Sequence, residues 1–295
     1  MNRKDNQKHP ARKAADMTAR LLYPPRCPVC DELCPTRSVF KWAKRFAADR
    51  REGAFSELCP INTSDLVCGS CREKLPWVTE PACMKCGKPV GGAETEFCRD
   101  CAQTRHLFDQ GRAAFTYTGA MRHSVYRMKA QNRRDYLDFY AAAMVRAGSR
   151  YLEVWRPEVI VPVPMHWKKR AARGYNQSEL LALRISRLTG IPCDRKLLRC
   201  VHYTGVQKEL GREERLRNLR GSFEVRMPAE GLCRPESEHS SNLTDAGRGI
   251  SARVLLIDDV YTTGSTMDEA ARALRAAGVW QIFFLVLCTG ATEIE

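Results

Sequence analysis

The stretch that decides the fold is Val254-Leu255-Leu256-Ile257-Asp258-Asp259-Val260-Tyr261-Thr262-Thr263-Gly264-Ser265-Thr266. Four apolar residues have the length of a buried strand, two acids stand at its tip, and a small hydroxyl-rich turn with one glycine opens a helix near Met267. In open α/β sheets, ligands bind beyond the carboxyl ends of strands. Thr262, Thr263, Gly264, Ser265 and Thr266 can aim backbone N–H groups and hydroxyls at a phosphate, and the helix adds its positive end. Asp258 and Asp259 are then placed to accept hydrogen bonds from sugar hydroxyls.

Around this run the chain alternates strand and helix signals from about Phe108 onward. Ala113 to Tyr117 and Val159 to Val163 read as strands, and Ile282 to Leu287 as a further buried one. Asp135 to Gly148 has an apolar face at Leu137, Tyr140, Met144 and Val145, as an amphipathic helix requires. Gln177 to Leu188 is a second helix, stopped by Gly190, and Met267 to Ala277 an alanine-rich third, ending at Gly278. Apolar strands separated by helices predict a parallel sheet covered on both faces. Arg226 to Gly249 carries no period and reads as a mobile loop insertion.

The first third is different. Ten of the 14 cysteines lie at or before Cys101, eight of them in the pairs Cys27/Cys30, Cys68/Cys71, Cys83/Cys86 and Cys98/Cys101. A two-residue gap lets both sulfurs of a turn face one metal ion, and two such knuckles complete a tetrahedral thiolate site. Eight cysteines therefore suit two Zn²⁺ ions. Consecutive, nested and interleaved pairings are all open; consecutive pairing is favoured because the last two pairs are close enough to form a compact ribbon. Closed four-thiolate sites leave no position for catalysis, so their expected role is structural. Cys34 and Cys59 read as spare thiols, and Cys193, Cys200, Cys233 and Cys288 as small apolar residues.

Composition sets the outer bounds. Hydrophobic residues at 44% and charged ones at 28% exclude a wholly disordered chain. The longest apolar stretch, Val279 to Cys288, is about half of the roughly 20 residues that a membrane-spanning helix needs. Met1 to Arg26 is basic and polar, without the apolar core of a secretion signal, so a cytoplasmic location is expected, where paired cysteines are metal ligands sooner than disulfides. The formal net charge of +14 calls for a polyanionic partner without naming one.

The run 254–266 resembles the 5-phosphoribosyl-1-pyrophosphate (PRPP) signature of type I phosphoribosyltransferases, with Tyr261 where that signature prefers an aliphatic residue. Further motifs widen the resemblance: Val161-Pro162-Val163-Pro164, then Lys168 to Gln177, then Gln207 to Phe223, with the cysteine pairs and Leu22-Tyr23-Pro24-Pro25-Arg26-Cys27 in front. Together they are similar to the ComF family, which joins a zinc-ribbon module to a phosphoribosyltransferase domain and is linked to bacterial DNA uptake. The likeness runs from about Leu21 to the C-terminus and is weaker across Cys34 to Asn62 and Arg226 to Gly249. It implies a basic tail over 1–20, an N-terminal double zinc-ribbon module with four-cysteine sites over 21–107, and over 108–295 a type I phosphoribosyltransferase-like α/β domain, a parallel sheet flanked by helices.

The resemblance also implies roles. Asp258 and Asp259 would serve the ribose and Thr262 to Thr266 its phosphate. Pro162, Val163, Arg170 and Arg173 would bind pyrophosphate, with Lys129 as a weaker candidate. Gln207, Arg212 and Arg215 would sit on a loop, about Cys200 to Gly221, that closes over the site. PRPP would enter with Mg²⁺, held mostly by its own oxygens and water. Three functions remain in view: transfer of the phosphoribosyl group to an unknown nitrogen acceptor, PRPP sensing without catalysis, and an accessory role. For the last, basic residues (Arg12, Lys13, Arg20, Lys41, Lys44, Arg45, Arg50 and Arg51) and the aromatics Tyr23, Phe40, Trp42, Phe46 and Trp77 could bind single-stranded DNA, or the ribbons could dock a DNA-uptake or helicase-type protein.

Overall fold

A computed structural model of the chain describes residues 24, 26–34, 66–202, 219–226 and 252–290. Two short helices follow cysteines, α1 (Gly69–Arg72) and α2 (Arg99–Gln103). The chain continues through β1 (Gln110–Thr116), α3 (Gly119–Ala130), a 3₁₀ turn over Arg134–Tyr136, α4 (Leu137–Trp155) and β2 (Val159–Pro162). Then come α5 (Trp167–Arg173), α6 (Gln177–Thr189), the antiparallel pair β3 (Leu198–Cys200) and β4 (Phe223–Val225), β5 (Arg253–Tyr261), α7 (Ser265–Ala276) and β6 (Gln281–Thr289).

The main sheet has the order β1-β6-β5-β2 with every pairing parallel. Side chains alternate across a strand, so this sheet builds two cores. Leu255, Ile257, Phe283, Leu285 and Leu287 face one way, onto α3, α4 and α6. Val254, Leu256, Ile282, Phe284 and Val286 face the other, onto α7 and the β3–β4 hairpin. The expected parallel sheet, flanked by helices, is thus what the chain forms.

Several bounds differ from the sequence reading, each for a local reason. β5 does not stop at Ile257; β6 runs on to Thr289 and supplies partners as far as Tyr261, so both acids lie within the last half of the strand. α4 runs on past Gly148, because that glycine packs against the Leu285 side chain and does not end the helix; Arg156, at φ 45°, ends it. α7 begins two residues early, where Gly264 at φ +83° turns the chain. α3, α5 and the hairpin are additional. Arg226 to Gly249 lies, but for Arg226, outside the described residues, as does Cys59.

The cysteine-rich part has no core of its own among the described residues. Cys27, Val29, Leu66, Val67 and Leu75 join the first core, and Cys83, Cys86 and Cys98 the second. Between them, Pro76–Val78 runs antiparallel along the free edge of β1: Val78 N donates to Ala114 O and Thr116 N to Pro76 O, both at 2.9 Å. Trp77, one of the aromatics offered as a stacking face, is partly buried: it packs on Phe115 at 4.5 Å and has the Arg146 guanidinium 4.8 Å from its ring. The division expected at 107/108 therefore separates two sequence signatures that share one packed body.

Gly111 shows how tight the second core is. A Cβ there would lie 2.0 Å from the Phe284 ring, which cannot retreat because Phe108 and Tyr261 each pack on it at 4.9 Å. We expect Gly111→Ala to destabilise the fold by about 1–3 kcal/mol through overpacking. Urea unfolding measures this, and an unchanged midpoint would contradict the packing described.

Candidate functional site

At the carboxyl ends of β2 and β5 two cavities adjoin. The smaller, about 50 Å³, is formed by Tyr261 to Met267 with Leu219, Asp258 and Val260. The larger, about 270 Å³, is lined among others by Lys129, Val163, Lys169, Arg173, Asn176 and both acids. Asp258, Leu219 and Thr266 belong to both, so a ligand can reach from one to the other.

The strand–turn–helix unit builds the smaller cavity as its sequence suggests. Thr262, Thr263, Gly264, Ser265 and Thr266 all line it. Thr263 Oγ1 and Ser265 Oγ lie 2.9 Å apart across the turn. Gly264 is required twice over: its φ is left-handed, and a Cβ would meet His106 Cε1 and the Tyr261 hydroxyl at 2.8 Å each. The helix entered here, α7, buries Met267, Ala270, Ala271 and Leu274, one face at helical spacing, so its amino end is held firmly at the cavity.

Asp259 is buried and Asp258 largely so, and both are partnered. Asp258 Oδ1 accepts from Ser178 Oγ at 2.7 Å and from the Asp259 amide at 2.9 Å. Asp259 Oδ2 is 2.6 Å from Lys129 Nζ. Burial, reinforced by the Asp259 charge, pushes the Asp258 carboxyl up to about 7, against the pull of Ser178 and Lys129. Burial works against the Lys129 ammonium, but Asp259, by charge and hydrogen bond, more than offsets it and moves Lys129 up. On the opposite wall, burial, with Arg173 nearby, pulls Lys169 down.

Of the residues expected to contact pyrophosphate, Val163 and Arg173 line the larger cavity, and Arg173 Nη1 donates to Gln177 Oε1 at 2.7 Å. Pro162 ends β2, one residue short of that lining, and is buried. Arg170 does not line the cavity; it is exposed and ion-paired with Glu179 at 3.3 Å. Lys169 stands in the wall instead. The reason is that the basic segment is a helix: Lys169 and Arg173 are four residues apart on one face, and Arg170 is turned by about 100° from Lys169. Gln207, Arg212 and Arg215 lie outside the described residues. The sequence reading missed Asn176 and Ser178, the N-cap and second residue of α6. Asn176 Nδ2 donates to Val163 O at 3.1 Å and its Oδ1 accepts from Ser178 N, a cap that ties the helix to the loop after β2.

The cysteines gather into two groups, Cys27, Cys30, Cys68, Cys71 and Cys83, Cys86, Cys98, Cys101, each with its sulfurs within 4.8 Å of one another. This is the consecutive pairing. Sulfur separations of 3.7 Å (Cys30 to Cys68) and 3.6 Å (Cys86 to Cys98) fit the roughly 3.8 Å edge of a tetrahedron with Zn–S bonds of about 2.3 Å. Four thiolates leave a zinc ion no open position, so both sites are structural. Cys34 is buried beside the first group without joining it. Cys288 is a buried core residue, whereas Cys193 and Cys200 are only partly buried.

Comparison with known proteins agrees with both halves. The double zinc ribbon domain model matches residues 57–102 and the phosphoribosyl transferase domain model residues 234–295. Competence protein F of Haemophilus influenzae is 28% identical over 220 residues, 73% of this chain and 87% of that protein. Competence protein ComFC of Bacillus subtilis is 28% identical over 226 residues, 74% of this chain and 81% of its own. DNA utilization protein YhgH of Escherichia coli K12 is 24% identical over 209 residues, 70% and 83%. A purine phosphoribosyltransferase from Pyrococcus horikoshii superimposes on 51% of this chain and 73% of its own with a TM-score of 0.30 and 17% identity, too loosely to bear on function. The resemblance to the ComF family drawn from the motifs is upheld. Among the described residues, no helix is long and apolar enough to cross a membrane.

The raised Asp258 has a signature in stability. Its value in the fold, about 7, lies above the ordinary 3.8, so the folded state keeps a proton that the unfolded state loses. This group's contribution therefore falls as pH rises between those values. We expect the melting temperature of the protein to decline from pH 5 to pH 8 more steeply than that of Asp258→Asn. Parallel thermal unfolding of the two would show parallel curves if Asp258 titrated normally.

Proposed function

From a chain that resembles the ComF competence proteins in both its parts, we infer a phosphoribosyltransferase-type protein that binds PRPP with Mg²⁺ in the joined cavities. The carrying observation is that the run 254–266 folds as strand, turn and helix with its acids and hydroxyls on one continuous cleft. In this reading the Thr262–Thr266 turn takes the 5-phosphate and Asp258 and Asp259 accept from the ribose hydroxyls. The larger cavity, with Lys129, Lys169 and Arg173, takes the pyrophosphate. Magnesium suits this donor set, since Asp258 and Asp259 can hold its water shell while the ligand's own oxygens supply most of the coordination.

The reaction is displacement at ribose C1. The C1–O bond to pyrophosphate breaks, a bond from C1 to a nitrogen of the acceptor forms, and the leaving group carries off the electron pair. Fixed cations close to that charge, within a cleft shielded from water, lower the barrier most. The acceptor is a nitrogen compound. We place the protein in the cytoplasm and in DNA uptake, by analogy with the competence proteins that it resembles, with 21–107 as the zinc-ribbon module and 108–295 as the transferase-like part.

A second reading has one observation in its favour. Trp167 is 66% exposed at the start of the basic helix α5, with Lys168 Nζ 5.6 Å from its ring, the combination on which single-stranded DNA can stack. Isothermal titration with PRPP and Mg²⁺ separates the two. Asp258→Asn combined with Asp259→Asn should weaken binding at least about tenfold, since hydrogen bonds to charged groups are worth roughly 1.5–3 kcal/mol each. Undiminished binding would sink the ligand site. Pyrophosphate release with a member of a panel of nitrogen bases would establish transfer. Salt-sensitive single-strand binding that depends on Trp167, with no PRPP binding, would decide for the second reading.

A further inference from the structure

We propose that each zinc site braces a different wall of the ligand cleft, the Cys83–Cys101 group holding the Thr262–Thr266 turn and the Cys27–Cys71 group holding the helix that carries Lys129. The names of the ligands rest on the function inferred above; the bracing does not.

The second group reaches the turn through a connected series of contacts. The chain leaves Cys101 and passes His106, whose buried ring places Nδ1 2.7 Å from Asp268 Oδ2, while Leu107 N donates to Asp268 Oδ1 at 2.9 Å. Asp268 is in the first turn of α7, and its own amide donates to Gly264 O at 2.8 Å. Behind Gly264, His106 Cε1 and the Tyr261 hydroxyl leave no room for a side chain. Tyr261 in turn packs with Phe108 and Phe284 in the core that includes Cys83, Cys86 and Cys98. Lys88 Nζ lies 5.6 Å from the Tyr261 ring and 2.5 Å from Asp100, which stands between Cys98 and Cys101. A tyrosine at 261, in place of an aliphatic residue, is thus the length needed to reach from the turn into the zinc-site core.

The first group does the same for the other wall. In its Cys27–Cys30 knuckle, Pro28 O accepts from Ser124 Oγ, and Val29 O accepts from Arg127 Nη2 at 2.5 Å. Asp31 Oδ1 accepts from Arg133 Nη1 at 2.6 Å and from the Tyr136 hydroxyl. Ser124 and Arg127 belong to α3, whose Met121, Val125 and Met128 share a core with Cys27 and Val29, and whose last turn presents Lys129 to Asp259. The two groups occupy opposite faces of the sheet, so the braces work separately.

His106 and Arg127 are then positioning residues, and they can be changed without touching a thiolate. The probes are ribose 5-phosphate for the turn and inorganic pyrophosphate with Mg²⁺ for the other wall, with hydrogen exchange of the unliganded protein as a readout independent of either. His106→Ala should speed exchange over 261–268 and weaken ribose 5-phosphate about tenfold while pyrophosphate stays within about twofold, the size expected for one charged hydrogen bond. His106→Asn, which keeps a donor for Asp268, should restore most of that loss. Arg127→Met should do the reverse, loosening 121–130 and weakening pyrophosphate alone. Both variants should still hold two zinc ions per chain. Cys98→Ser and Cys30→Ser should reproduce the two patterns with one zinc ion fewer. The proposal is overturned if either variant loosens both walls alike, or if a wall fails to respond to its own variant. Should the unaltered protein bind neither probe, the function inferred above falls, and the exchange pattern still decides the bracing.

Discussion

Two adjacent carboxylates at the end of a buried parallel strand form the constraint around which the rest of the structure is arranged. An unpaired charge in such a place is strongly disfavoured, and two like charges more so. Here the burden is divided. Asp259 faces an ammonium from α3, and Asp258 takes a hydroxyl and a backbone amide while rising toward neutrality. Each solution draws on a different helix, α3 for Lys129 and α6 for Ser178. Both helices must therefore stand at fixed heights above the strand. The Asn176 cap and the Tyr175 hydroxyl bound to Met128 O set those heights.

The zinc-binding part belongs to the same system of support. Small cysteine-rich modules commonly use metal because they cannot bury enough apolar surface alone. This one contributes its knuckles to cores that the sheet has already begun, one on each face. Arg112, buried in β1, ties the faces together at the seam: its Nη1 donates to Gly111 O at 2.7 Å and to Met84 O at 3.3 Å, and its guanidinium lies 4.0 Å from the Tyr151 ring.

Much of this was legible in the sequence where one local signal dominates. The strand, acids, glycine turn and helix at 254–277 are such a case, since every residue there serves the same local geometry. The cysteine spacing announced metal knuckles and, through the closeness of the last two pairs, favoured the consecutive pairing that the fold shows; that the two groups lie on opposite faces of the sheet is what no spacing records. α3 was missed because its apolar positions, Met121, Val125 and Met128, are thinly spread among His and Arg. The basic stretch after β2 gives no helical signal in the sequence because α5 buries nothing; its helical phase, which selects Lys169 over Arg170, is set by the flanking His166 and Gly174. β3 and β4, three residues each, are too short to show a period.

The covered edge of β1 carries one more consequence. Open strand edges invite pairing with other chains, and proteins that leave them bare tend to aggregate. Here Pro76–Val78 covers one border of the sheet, and Pro192–Asp194 covers the other through bonds to Ile160. The first cover is itself suspended between the two metal knuckles. The two cysteine groups therefore anchor this cover at both of its ends. A chain that lost either site would free one end of this segment and bare a strand edge able to pair with its neighbours.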